Sequence, residues 1–261
     1  MLRLACVLFL AILPWSADAQ NVNDNCGLSG NVTAIKDVPW IASVQHDNKH
    51  ICIGTILNTK HILTASECLK SRKIPGLKVR VGNANRDSGL AMAVCKVLPH
   101  PNSVGQKGFG SNLALLTLCE PLTPSEEVKE IAIVDTEPDK DSKAEASVAG
   151  WGSLSWWRWI VKPCWTVSSA VLRKSNVQLM DVDKCASERK GWNWFSNPLA
   201  TDLKVCTAKK EKYCSFDKGA PLVIDGKLAG ILVLGDCDRK PDVFVSLFKH
   251  KTWLQANTKD T

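Results

Sequence analysis

One short stretch, residues 214–222, holds several chemically active residue types at close spacing. It contains a hydroxyl at Ser215, a carboxylate at Asp217 and an amine at Lys218. A serine hydroxyl becomes a nucleophile when a neighbouring base accepts its proton, so Ser215 with Lys218 as base is one arrangement for hydrolysis. A lysine acts as a base only after desolvation has removed its proton, and an adjacent carboxylate opposes that. The spacing also supplies no donors for the oxyanion that such a reaction would form.

The elements around this stretch are predicted to be short strands. Apolar segments separated by Gly, Asn, Asp and Pro recur along the chain, for example at residues 40–44, 77–81 and 228–234. This recurrence is typical of an all-β sandwich or a pair of β-barrels. Only residues 250–258 have the length and composition of a clear helix, and residues 184–195 have room for a short one. We therefore expect an all-β fold that ends in one C-terminal helix.

The first residues have the pattern of a secretory signal peptide. A charged start at Arg3 precedes an apolar run over residues 4–13 and a small-x-small ending at Ala19. That run is too short to cross a bilayer, and no later stretch is long and apolar enough. We expect a signal peptide over 1–19, an N-terminal segment over 20–38 and one domain over 39–261. The protein is expected to be secreted, extracellular and without a membrane span.

The cysteine count fits an oxidising compartment. The chain has 11 cysteines, and an even number is left once Cys6 leaves with the signal peptide. An even number in a secreted chain predicts disulfides, although spacing alone does not give their pairing. No two cysteines have the C-x-x-C spacing of a zinc site, so we expect no metal and no cofactor. Asn31 begins the only glycosylation sequon, Asn-Val-Thr.

The net charge of +7 allows two interpretations. The basic side chains either form a solvated surface that aids solubility or give the protein affinity for acidic glycans. The densest basic run, residues 209–212, is too short to indicate nucleic-acid binding. The expected partners are therefore extracellular proteins, with acidic glycans as a further possibility and nucleic acid excluded.

Motifs along nearly the whole chain resemble those of chymotrypsin-like (trypsin-like) serine proteases. Residues 214–222, C-S-F-D-K-G-A-P-L, resemble the nucleophile loop C-x-G-D-S-G-G-P-L. Residues 62–68 resemble V-L-T-A-A-H-C, and residues 111–116 resemble N-D-I-A-L-L. Further matching stretches are residues 39–44, 52–57, 149–152 and 241–247. The order of these motifs is specific, and it implies a double six-stranded antiparallel β-barrel with a C-terminal helix.

The resemblance places other residue types at all three catalytic positions. Glu67 stands at the histidine position, Asn112 at the aspartate position and Lys218 at the serine position. Peptide hydrolysis in this family needs a hydroxyl nucleophile, an imidazole base and a carboxylate that orients the base. Because the histidine and serine side chains touch in the family fold, we predict an ion pair between Glu67 and Lys218, with Asn112 bonded to Glu67. The alternative is that both charged side chains point into solvent.

The oxyanion hole and the specificity pocket also depart from the family pattern. Phe216 replaces the glycine whose backbone N–H points into the oxyanion hole, and a side chain restricts that backbone. Lys212 lies at the pocket-floor position, while Val233 and Gly235 lie in the wall. Asp242 replaces another wall glycine, so we predict a salt bridge between Lys212 and Asp242 that fills the pocket.

The activation site of the family is missing as well. Its zymogens are cut after a basic residue, and the new amino terminus then pairs with the aspartate before the serine. Asp217 is present, but no Arg or Lys lies between Gln20 and Lys36. Together with the changed triad, oxyanion hole and pocket, this predicts that the chain is not an enzyme but an inactive homologue of a serine endopeptidase.

The resemblance also implies disulfide pairs. Three pairs match family bonds: Cys52–Cys68, Cys185–Cys206 and Cys214–Cys237. Cys95–Cys119 is a guess, because these cysteines fall on strands that should be neighbours. Cys26–Cys164 is the pair that remains by elimination. Bridges of this kind contribute a few kcal/mol each.

Two smaller features remain open. Trp156, Trp157 and Trp159 fall in a loop that is usually exposed in the family. The loop either folds on itself or presents an aromatic surface to a partner, since aromatic residues are enriched in binding hot spots. His46 and His50 flank a predicted hairpin turn, and we expect them to be solvated loop residues rather than metal ligands.

The function predicted from the sequence is that of a secreted, non-catalytic serine protease homologue of the arthropod type. It would bind extracellular proteins as a cofactor or regulator in a fluid such as seminal fluid or haemolymph. The alternatives are a hydrolase with rebuilt chemistry at Ser215 and Lys218, and a protease-inhibiting decoy. A pocket closed by Lys212 and Asp242 argues against the decoy.

Overall fold

A computed structural model describes residues 30–103, 108–139, 144–152, 168–189, 204–209, 216–235 and 240–259. The predicted signal peptide and most of the predicted N-terminal segment lie outside these residues, so both stay predictions. No helix in the described part of the chain has the length and apolar character needed to cross a membrane.

The first half of the described chain forms a closed barrel. The short β1 (Asn31–Val32) precedes the barrel and belongs to the other sheet. The barrel strands are β2 (Ile41–His46), β3 (Lys49–Ile56), β4 (His61–Thr64), β5 (Leu77–Val81), β6 (Leu90–Pro99) and β7 (Ala114–Leu118). Neighbouring strands follow the order β2-β3-β4-β7-β6-β5, and each pair is antiparallel. This half agrees with the predicted six-stranded barrel.

The second half forms an eight-stranded sheet. Its further strands are β8 (Ala146–Gly152), β9 (Ser168–Val177), β10 (Leu179–Met180), β11 (Lys204–Thr207), β12 (Pro221–Ile224), β13 (Lys227–Leu234) and β14 (Asp242–Ser246). The order is β1-β9-β8-β12-β13-β14-β11-β10. The two outermost strands, β1 and β10, have two residues each and extend the predicted six strands to eight. The predicted all-β fold with two barrel-like sheets is confirmed.

Helical elements are short and lie at the ends of strands. The α-helices are α1 (Val182–Arg189) and α2 (Lys251–Asn257), and the 3-10 helices cover Ile35–Asp37, Ser66–Leu69, Ile74–Gly76 and Gly108–Ser111. Helix α2 lies inside residues 250–258, so the predicted C-terminal helix is confirmed.

Two tight turns set the strand registers. Asp47 and Asn48 join β2 to β3, and both have positive φ, 49° and 63°. Asp225 and Gly226 join β12 to β13 with φ of 46° and 75°. Positive φ at both central residues is the signature of a type I′ hairpin, whose twist matches that of the flanking strands. The turns therefore fix which residues of β3 and β13 face the core.

Burial follows the period of a strand in the first barrel. In β5, Leu77, Val79 and Val81 are buried, while Lys78 and Arg80 between them are half-buried. Alternating side chains point to opposite faces of a strand, so one face of β5 lies on the core and the other carries the charge.

Three disulfides tie these elements together. Cys52–Cys68 joins β3 to the 3-10 helix after β4, Cys95–Cys119 joins β6 to the end of β7, and Cys185–Cys206 joins α1 to β11. These are three of the predicted pairs. Both remaining pairs include cysteines outside the described residues, so they stay predictions.

A histidine pair anchors helix α2 to the first barrel. His250 Nδ1 lies 2.7 Å from the carbonyl oxygen of Ser246, so Nδ1 carries the donated hydrogen. In the neutral ring Nε2 then accepts from Ser111 Oγ at 3.2 Å. His100 packs edge-on against His250 and Trp253, with ring centroids 5.0 and 4.8 Å apart. Burial lowers the pKa of both histidines below 6.5, and the charge of His250 lowers that of His100 further.

These histidines predict that the protein loses stability in mild acid. Their lowered pKa means that the unfolded chain binds more protons than the folded chain at and below pH 6.5. The free energy of unfolding should therefore fall as the pH decreases from about 7.5 to about 5.5, and level off below the folded pKa values. Urea unfolding across this range measures it.

The matched variant is His250→Gln, which retains a side-chain donor but does not titrate. Its free energy of unfolding should depend less on pH over the same range. Equal pH dependence in the two proteins would show that His250 does not carry the effect.

Candidate functional site

The loop that resembles the nucleophile loop is held between the two halves of the fold. Ile53 N, in β3, donates to Lys218 O at 2.9 Å, and Gly219 N donates to Leu232 O, in β13, at 2.9 Å. Gly219 has φ +87°, and a Cβ there would lie 2.0 Å from Ile53 O. Only glycine fits both the backbone conformation and this close approach. The loop is thus fixed by backbone contacts on both sides.

Glu67 and Lys218 form an ion pair across the site. Lys218 Nζ lies 2.5 Å from Glu67 Oε2, although the two residues are 151 positions apart in sequence. The side chains are 23% exposed for Glu67 and 48% exposed for Lys218, so water reaches the pair. Exposed pairs of this kind stabilise a fold by at most about 1 kcal/mol. The geometry is the predicted one, and the pair is a surface feature rather than a source of stability.

Asn112 fixes the position of Glu67. Its Oδ1 accepts hydrogen bonds from Glu67 N at 2.9 Å and from Ser66 Oγ at 2.7 Å. These two donors identify the amide oxygen, so the Nδ2 group is the one that donates to Glu67 Oε1 at 2.9 Å. An ionised aspartate at this position would only accept, and would face the Glu67 carboxylate with a like charge. An asparagine therefore suits this position, because it accepts from Glu67 N and also donates to the Glu67 carboxylate.

In this conformation Lys218 acts as a cation and a donor. Its Nζ donates to a carboxylate oxygen, and an ammonium group has no lone pair to offer. Either nucleophilic attack by Lys218 or its use as a base would require it to leave Glu67 and lose a proton.

A second set of contacts lies beneath the loop. His50 Nε2 lies 3.2 Å from Asp217 Oδ2, and His50 Nδ1 lies 2.9 Å from Ser43 Oγ. The histidine and aspartate side chains are 2% and 5% exposed. The His50 ring also packs edge-on against Trp151, with centroids 5.7 Å apart. A serine, a histidine and an aspartate are thus hydrogen-bonded in series, inside the protein.

The sequence prediction for His50 was wrong. It was expected to be a solvated loop residue, but it is buried at the start of β3 and provides the partner of Asp217. The signal that pointed to such a partner was Asp217 itself, because a buried carboxylate must be paired or hydrogen-bonded.

Phe216 lies in the core of the second sheet. It is 3% exposed, and its ring packs so closely against β8 that a Cβ on Gly150 would lie 3.0 Å from Phe216 Cδ1. The side chain therefore fills space beneath the loop rather than covering Lys218. The prediction that Phe216 replaces the glycine of the oxyanion hole and impairs that site stays a prediction.

The predicted pocket residues are only partly described. Val233 and Asp242 are buried, and Gly235 is exposed. Lys212 lies outside the described residues, so its salt bridge with Asp242 stays a prediction. The same holds for Ser215 and for the aromatic surface of Trp156, Trp157 and Trp159. Asn31 is exposed in β1, and its glycosylation stays a prediction.

Comparisons with known proteins identify the family. The family model described as Trypsin matches residues 28–254, so the chain belongs to the trypsin family. Trypsin delta of Drosophila erecta is 27% identical over 237 residues, which cover 88% of this chain and 87% of that protein.

Solved structures share the fold. Neuropsin, a serine protease expressed in the limbic system of mouse brain, superposes with a TM-score of 0.72 at 23% identity, covering 88% of this chain and 99% of that one. The scabies mite inactivated protease paralogue S-D1 superposes with a TM-score of 0.71 at 22% identity, covering 90% and 100%.

These comparisons correct the prediction that the chain is not an enzyme. Curated relatives of this chain carry the names of trypsins, among them Trypsin delta of Drosophila erecta and Trypsin alpha-4 of Lucilia cuprina. The residue types at positions 67, 112 and 218 therefore do not exclude catalysis in a member of this family.

The two charge arrangements predict different effects on stability. His50→Leu removes one partner of the buried Asp217 carboxylate and should lower the free energy of unfolding by about 3 kcal/mol. Glu67→Gln affects a solvated pair and should lower it by less than about 1 kcal/mol. Denaturant unfolding with the disulfides intact measures both.

Ser43→Ala is the control for the histidine, because it removes the hydrogen bonds of Ser43 Oγ with His50 Nδ1 and Gln45 Nε2, neither of which involves a carboxylate. It should cost about 1 to 2 kcal/mol. Losses of the same size in His50→Leu and Glu67→Gln would contradict the assignment of Asp217 as the buried group that needs its partner.

Proposed function

We propose that this protein acts in an extracellular fluid by binding another protein, as a cofactor or regulator, through the surface formed by Glu67, Asn112 and Lys218. Trypsin-family membership, a signal-peptide pattern at residues 1–19 and three disulfides in the described residues support an extracellular setting. The binding role itself rests on the geometry of the charge pair.

The observation that carries the proposal is that every group of this surface is held in place. Each oxygen of Glu67 has its own donor, Lys218 for Oε2 and Asn112 for Oε1. Lys218 sits on a loop whose backbone is bonded to both halves of the fold. Groups that are already ordered lose little conformational entropy when a partner binds.

The surface also offers specificity to a protein partner. Opposite charges lie side by side, and the remaining ammonium hydrogens of Lys218 stay accessible because its side chain is 48% exposed. Complementary charge patterns across an interface select the partner and exclude wrong ones more than they add affinity. Affinity for acidic glycans remains a further proposal, supported by the net charge of +7.

The binding proposal predicts that a partner depends on the charge pair. The double variant Glu67→Gln, Lys218→Met removes both charges and leaves an oxygen to accept from Asn112. A partner captured by the wild-type protein from its native fluid, then purified, should bind the variant at least about tenfold more weakly. Surface plasmon resonance at two salt concentrations measures the two dissociation constants.

The chain offers a matched control in the pair formed by Glu188 and Lys209. Their side chains are 26% and 52% exposed, close to the values for Glu67 and Lys218. The variant Glu188→Gln, Lys209→Met should retain wild-type affinity. Equal losses in the two double variants would assign the interaction to overall charge and reject the proposed surface.

Hydrolysis is the second candidate, favoured by the trypsin names of the relatives. Its predicted nucleophile is Ser215 with Lys218 as base, which requires the ion pair to Glu67 to open. This candidate predicts covalent labelling by a fluorophosphonate probe, read by intact mass spectrometry, that disappears in Ser215→Ala. Labelling that persists in this variant would assign the nucleophile to another residue, and no labelling would reject the candidate.

A further inference from the structure

A concave site lies away from the loop of residues 214–222, between the first barrel and the end of helix α2. It is a groove of about 460 Å³, within the usual size range of small-ligand sites. Four parts of the chain bring polar residues to it: residues 59–61 at the turn into β4, strand β6, strand β7, and the end of α2 with the residues that follow it. The polar lining residues are Thr59, Lys60, His61, Lys96, Thr117, Asn257 and Lys259.

The groove is positively charged. Lys60, Lys96 and Lys259 are exposed, and none of the lining residues is a carboxylate. Within the described ranges, no Asp or Glu lies within ion-pair distance of these three lysines. Cations that share a concavity and lack a counter-charge create a potential that attracts anions.

The end of α2 does not cancel this charge. The last carbonyls of a helix carry partial negative charge and would otherwise compete with an incoming anion. Here Asn58 Nδ2 donates to Thr258 O at 2.9 Å, Thr258 Oγ1 donates to Leu254 O at 2.9 Å, and Asn257 Nδ2 donates to Trp253 O at 2.8 Å. Side chains of the protein thus satisfy these carbonyls.

The composition of the lining selects among anions. No aromatic side chain other than the imidazole of His61 lines the groove, so it lacks the stacking surfaces that single-stranded nucleic acids use. It contains no arginine, the residue suited to two-pronged recognition of phosphate. Lysine ammonium groups are point charges that accept varied geometries, and the threonine hydroxyls suit sugar hydroxyls.

We propose that this groove binds a sulfated or carboxylated oligosaccharide, with Lys60, Lys96 and Lys259 contacting the acidic groups and Thr59 and Thr117 contacting sugar hydroxyls. This assigns a location to the acidic-glycan affinity. The glycan-binding proposal does not depend on the protein-binding surface at Glu67 and Lys218, so an experiment that rejects one proposal leaves the other standing.

The test is calorimetric titration of the full secreted chain with a heparin-derived tetrasaccharide. The variant Lys60→Gln, Lys96→Gln, Lys259→Gln should bind at least about tenfold more weakly than wild type. The control variant Lys36→Gln, Lys70→Gln, Lys73→Gln removes the same charge from exposed lysines elsewhere, and should change affinity less than about twofold. The same tetrasaccharide without its sulfates retains only its carboxylates and should bind more weakly.

A readout without variants is the change in amide chemical shifts of Leu115 and Thr117 on addition of the tetrasaccharide. Equal weakening in the two triple variants would overturn the proposal, because the binding would then follow net charge alone. Failure of wild type to bind, or tighter binding of a polyglutamate peptide of equal charge, would also overturn it.

Discussion

The buried contact between Asp217 and His50 is the interaction on which the site depends. It places a carboxylate that is 5% exposed beside an imidazole that is 2% exposed, in a region where an unpaired charge is costly. The residues that follow Asp217 in the chain then have little freedom. Lys218 O accepts from Ile53 N, and Gly219 fits against Ile53 O without room for a side chain. The position of the Lys218 side chain follows from these backbone constraints.

The ion pair on the surface is therefore a result of the fold rather than its support. Asn112 positions Glu67, and the backbone of the loop positions Lys218, so neither residue depends on the ion pair for its position. Because both side chains are solvated, their mutual attraction adds little to stability. What the pair provides is a fixed pattern of charge at the positions where the sequence resemblance predicts the family's catalytic residues. Such a pattern suits recognition, and family membership keeps hydrolysis open beside it.

The fold and several site positions could be predicted because they follow local rules. Strand periodicity, turn residues and ordered motifs indicated the all-β architecture and the neighbourhood of Glu67, Asn112 and Lys218. His50 could not be assigned, because its partner lies 167 residues further along the chain and nothing in the intervening sequence marks the contact. The two-residue edge strands were missed for a similar reason, since β1 is a strand only by pairing with residues 173–174 of β9. The exclusion of enzyme activity rested on the triad, the oxyanion hole, the pocket and the activation site, and it was wrong because relatives of this chain carry the names of trypsins.

By itself, the sequence determined the residue types available for chemistry, the family, the strand-rich fold and the excess of positive charge, because composition, motif order and alternation are properties of the chain. Only the tertiary structure decided which of these groups are in contact. It paired Asp217 with His50, bonded Asn112 to Glu67, and gathered Lys60, Lys96 and Lys259 around one groove. These contacts depend on how strands that are far apart in sequence pack into two sheets. Electrostatic and hydrogen-bond energies depend on distance in space rather than on separation along the chain.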